Sequence, residues 1–112
     1  MADYIDWPGK TGTYRYWFTS GIAPANLKPE GGNYMYVKRL PNGNWLPVYI
    51  GQADDLKARI PSHERGADAV RAGATHVMAH TTPAGEQARL AEERDLIAYW
   101  NPALNTQHRR VL

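Results

Sequence analysis

A chain of 112 residues can build one small domain around one core. With 43% apolar and 21% charged residues it is neither a disordered chain nor a fibre, and the lack of cysteine excludes a disulfide framework and a thiolate zinc site. A net charge of +2 permits nucleic-acid binding without demanding it. No apolar leader core and no 18-residue apolar run is present, so the expectation is a soluble cytoplasmic protein with no membrane partner.

Residues 1–30 are the least regular and read as an N-terminal extension packed on a unit spanning 31–112. Within the extension, TYRYWFT at 13–19 is β-branched and aromatic and reads as a strand. Residues 21–32 hold Pro24, Asn26, Pro29 and paired glycines, and read as a loop. Residues 33–50 read as a β-hairpin. Its turn is Pro41-Asn42-Gly43-Asn44, where Asn-Gly favours a two-residue type I′ loop. Paired residue numbers then sum to 85. Tyr36 faces Tyr49, and Tyr34 lies diagonally on the same face. After Gly51, Asp54 is the expected N-cap of a helix over 55–60, which Pro61 ends. Residues 66–73 read as a short Ala-rich helix and 75–81 as a further strand. Thr82 and Pro83 read as the N-cap and first residue of a helix running to Trp100, ended by Asn101-Pro102.

This last helix carries an acidic residue in an unexpected place. At about 100° per residue, Leu90, Leu96, Ile97 and Trp100 share one arc, and Glu93 falls near its middle. Glu92, Arg94 and Asp95 fall outside it. An ionised carboxylate on a buried stripe is costly unless it is paired or metal-bound. Arg59 is one candidate partner. The other reading is a divalent-cation site of one carboxylate completed by waters and phosphate oxygens.

Gly32-Asn33-Tyr34, Tyr49-Ile50-Gly51, Arg59, His63, Glu93 and Asn105 together resemble the GIY-YIG nuclease family. The resemblance spans about residues 31–105, and YIGQADDLKAR and ERDLIAYWNPALN are its most specific parts. It implies an α/β domain of the α+β type, with a central antiparallel sheet of three strands flanked by helices. The strand at 13–19 is a candidate fourth. It also implies a metal-dependent endonuclease acting on DNA with one Mg²⁺ or Mn²⁺. Tyr34 and Tyr49 would be its motif tyrosines, Arg59 its helical arginine, His63 a catalytic histidine, Glu93 the metal ligand and Asn105 a structural asparagine. Three features depart from the family: Asn33 in place of an apolar residue, a longer gap between the tyrosine motifs, and Pro61 between Arg59 and His63. His76 or His80 could stand in for His63.

The residue types suit phosphodiester hydrolysis. A cation such as Arg59, Lys57 or the metal would favour the phenolate of Tyr34 or Tyr49, which could then activate water with help from His63. Arg59 would grip phosphate through its planar fork, with Lys57 as a further substrate contact. Gly51 would support the site. The alternative is a non-catalytic nucleic-acid-binding module that keeps the fold. A homodimer or larger assembly is open in either case.

Overall fold

The computed structural model describes residues 3–19, 21, 27–60 and 66–105. In chain order the elements are β1 (Tyr4–Pro8), β2 (Thr13–Phe18), β3 (Gly32–Arg39), β4 (Trp45–Ala53), α1 (Leu56–Arg59), α2 (Gly66–Arg71), β5 (His76–Thr81) and α3 (Glu86–Trp100). The strands form a single antiparallel sheet in the order β1-β2-β5-β3-β4. The architecture is α+β, as expected, but the sheet has five strands rather than three or four. The extension supplies two of them: β1 pairs with β2 from Tyr4↔Trp17 to Pro8↔Thr13, and β2 pairs with β5. Strand β1 escapes a sequence reading because YIDWP is five residues long, with an acid in its middle and a proline at its end.

Period-two alternation divides the sheet into two buried faces. One carries Tyr34, Tyr36, Val48, Val77 and Ala79, covered by Leu56, Ile60, Ala69 and Leu104. The other carries Trp7, Tyr16, Met35, Val37, Ile50 and Met78, covered by Leu96, with Ile97 and Trp100 packed against it. Helices α1 and α2 therefore lie on one face and α3 on the other. Leu104 belongs to the first core although α3 packs on the second, so the chain crosses faces after Trp100. Beside β4, Asn105 Oδ1 accepts from the Ile50 N–H at 2.9 Å, and its Nδ2 donates to the Ile50 carbonyl at 3.0 Å.

The β3–β4 hairpin reaches its register by two deviations that cancel. Its loop has three residues, not two. Leu40 N–H donates to the Asn44 carbonyl, Gly43 N–H donates to the Leu40 carbonyl, and Gly43 sits at φ +90°. Asn42 has no positive φ, which rules out the expected type I′ turn. The longer loop makes the outer pairs Arg39↔Trp45 to Val37↔Pro47 sum to 84. A bulge then inserts Val48 as an extra residue, and the inner pairs from Tyr36↔Tyr49 to Gly32↔Ala53 return to 85. The bulge also lets Val48 enter the core while its neighbour Tyr49 packs against that same core.

Two helix starts differ from expectation. Asp55, not Asp54, caps α1, accepting from Ala58 N–H at 3.1 Å. Thr82 does not cap α3, because its hydroxyl donates to Asn33 Oδ1 at 2.8 Å; the helix begins at Glu86 after Gly85. The buried residues of α3 are Arg89, Glu92 and Leu96. Glu92, expected on the wet flank, is 7% exposed. The cause is the wider sheet. Helix α3 faces β2 as well as β5, and Glu92 Oε2 accepts from Tyr16 Oη at 2.7 Å and lies 2.5 Å from His80 Nε2. At the far end Asn101 adopts the left-handed conformation and its N–H closes on the Ile97 carbonyl.

Candidate functional site

Three tyrosines form the floor. Tyr36 pairs directly with Tyr49, Tyr34 pairs with Gly51, and the ring centroids of the three lie 6.2 to 6.4 Å apart. Gly51 is required by close approach: a Cβ there would stand 2.7 Å from Tyr34 Oη and 3.1 Å from a Tyr49 ring carbon. Helix α1 then brings Arg59 over this floor. The helix is a single turn, held by the Asp55 cap, by Leu56 in the core and by a bond from Leu56 N–H to the Glu30 carbonyl. Arg59 is exposed and hydrogen-bonds the Tyr34 side chain. Lys57 is exposed on the same turn.

The electrostatics correct the expectation for Tyr34. Burial raises its phenol most, the neighbouring Tyr49 adds to this, and the opposing pull of Arg59 does not win. Tyr34 therefore stays a neutral hydrogen-bonding group at neutral pH. Burial likewise pushes Tyr36 up to about 12. Tyr49 is the least buried of the three and is the one left to meet solvent.

Glu93 lies half-buried on α3, and burial raises its carboxyl, only partly offset by Arg94. Among the described residues it makes no hydrogen bond or ion pair, Arg59 included. The structure thus brings Tyr34, Tyr49 and Arg59 together on one face and carries Glu93 on the helix behind the sheet. The two sides approach at the end of β4. There Gln52, Ala53, Asp54 and Arg59 share a polar cavity of about 530 Å³ with Glu86 and Arg89 of α3. Glu93 follows Glu86 by seven residues, about 10.5 Å along the axis and about 20° round it.

Among the described residues no group of three or more His, Asp or Glu could hold a metal ion. A lone, half-buried, unpaired carboxylate still fits a hard cation that keeps most of its waters, so the donor chemistry of Glu93 suits Mg²⁺. Pro61, His63 and the basic tail at 108–110 lie outside the described residues. Neither His76 nor His80 stands in for His63. They pair with Val37 and Asn33, and so face away from the tyrosines. His80 is held between Glu92 and the Thr81 carbonyl, and His76 packs on Phe18 and Trp45.

The sequence reading singled out Asn33 as a departure but missed its partner behind the sheet, Arg89. Asn33 is fully buried, and its Nδ2 donates to the Arg89 carbonyl at 2.9 Å. Arg89 is buried too, and lies about 40° from Glu93 on the helical wheel. A wheel drawn over all residues, not only the apolar ones, would have flagged it.

No protein-family model and no curated protein matches the sequence. Among solved structures, the chain is similar to the GIY-YIG N-terminal endonuclease domain of UvrC from Thermotoga maritima, a point mutant bound to its catalytic divalent cation. The TM-score is 0.56 at 23% identity, covering 70% of this chain and 86% of that one. The chain therefore has the GIY-YIG endonuclease fold.

Proposed function

We propose that this protein is a metal-dependent endonuclease that hydrolyses DNA phosphodiester bonds. The observation that carries the reading is the convergence of Tyr34, Tyr49 and Arg59 on one face of a GIY-YIG fold. Arg59 grips the scissile phosphate and offsets the charge that builds on it. Tyr34, kept neutral by burial, orients Arg59 by a hydrogen bond. Tyr49, the more exposed phenol, positions the attacking water, or takes its proton when a nearby cation holds it as the phenolate, with His63 as an additional proton acceptor. Glu93 would hold Mg²⁺ or Mn²⁺, which when bound supplies Lewis acidity toward phosphate oxygens. Lys57 adds a contact to the DNA backbone, and Gly51 and Asn105 hold the strand that carries Tyr49.

The test is nicking of supercoiled plasmid in Mg²⁺ or Mn²⁺ by the wild type, Arg59→Ala and Glu93→Ala. Nicking by the wild type is expected to fall at least about 100-fold in each variant. Undiminished cleavage by both variants would reject the site. Tight, salt-sensitive DNA binding with no cleavage in any divalent metal would select the non-catalytic module instead.

A further inference from the structure

We infer that Arg89 is a second phosphate-binding guanidinium, and that the cavity at the end of β4 takes a backbone phosphate next to the one held by Arg59. The inference rests on the DNA reading above for its ligand, but on separate observations for its site.

Arg89 is only 9% exposed. Its Nε donates to Gln52 Oε1 at 2.9 Å, a neutral amide, and among the described residues it has no ion pair. Burying a cation against a neutral partner is costly unless an anion arrives. Glycine at position 31 makes room for this group: a Cβ there would lie 2.5 Å from Arg89 Nη1. The backbone at Arg89 is fixed by the bond from Asn33 to its carbonyl. The guanidinium is therefore held in place beside a cavity that Arg59 also lines. Two guanidiniums at one polar cavity favour an anion with several acceptor oxygens, and a phosphodiester supplies them. Asp54 and Glu86 line the same cavity but are exposed, and neither forms an ion pair with Arg89.

The deciding variant is Gln52→Glu. It gives Arg89 an internal carboxylate while preserving shape, so the fold keeps or gains stability. Arg89→Gln is the direct loss. Binding of a fluorescein-labelled 20-base-pair duplex is followed by anisotropy in EDTA, across a KCl series. Both variants are expected to bind about tenfold more weakly, with the slope of log affinity against log salt reduced by about one. A second measurement needs no DNA: inorganic phosphate should raise the Tm of the wild type over chloride at equal ionic strength, and should not raise that of Gln52→Glu. If the wild type binds the duplex and Gln52→Glu matches it in affinity and slope, the inference fails and the nuclease reading stands. If the wild type binds no duplex yet phosphate stabilises it and not the variant, the nuclease reading fails and the anion site stands. No duplex binding and no phosphate effect overturns both.

Discussion

Gly51 shows how much a single missing side chain controls. Alanine there would drive a methyl into the Tyr34 phenol and the Tyr49 ring, both part of the proposed site. Gly51→Ala is expected to cost about 1–3 kcal/mol in urea denaturation and to abolish nicking, since the rings must move together. Glu93 is a different case. Burial raises its carboxyl, so the folded protein binds its proton more tightly than the unfolded chain does. Its ionised form is therefore a liability that grows as pH rises through the folded value. Glu93→Gln should raise the Tm at pH 7 by about a few degrees while removing metal-dependent cleavage. Scanning calorimetry beside the nicking assay separates the two effects, and a lower Tm would contradict the account. The shared face of Tyr34 and Tyr49 was legible from the hairpin register and the partial burial of Glu93 from the helical stripe, whereas the role of Arg59 came only from the family resemblance. Arg89 was passed over because the stripe was drawn for apolar residues, and the room it occupies is left by a glycine 58 positions away.

At the scale of elements, the β1–β2 turn is fastened to α3 at Asp95, whose carbonyl accepts from the Lys10 N–H. Asp95 accepts from the Thr11 and Gly12 amides and, at 2.7 Å, from Tyr14 Oη. The Tyr14 hydrogen bond first, and then these amides, hold its carboxyl below the usual value. Burial and the same carboxylate push Tyr14 up to about 12. A depressed carboxyl stabilises above its unfolded value, near 3.9, and loses that contribution as pH falls through the folded one. Exchange of the Thr11 and Gly12 amides should therefore accelerate below about pH 4 relative to core strands. Asp95→Asn should show fast exchange already at pH 7, and unchanged protection in that variant would refute the clasp. This clasp was invisible in the sequence, since Asp95 reads as an exposed helical acid until the extra hairpin is placed beside it. The β3–β4 pairing was legible at Tyr36 and Tyr49 for a reason the sequence did not show: the longer loop and the Val48 bulge compensate each other.

For the molecule as a whole, the N-terminal hairpin widens the sheet until α3 lies over mixed ground, part apolar and part polar. That explains why the apolar stripe of α3 misjudged Glu92: the stripe was measured against a three-strand sheet that this chain does not have. The opposite margin, β4, ends the sheet with main-chain groups that another chain could pair with. At Ile50 a carboxamide from Asn105 satisfies both groups and so stands in for one residue of a sixth strand. Asn105→Ala should cost about 2 kcal/mol and, above micromolar concentration, should favour self-association through that margin, which sedimentation velocity would detect. A wild-type particle that stays monomeric where the variant does not would mean that a single amide keeps identical molecules from zipping together along their borders.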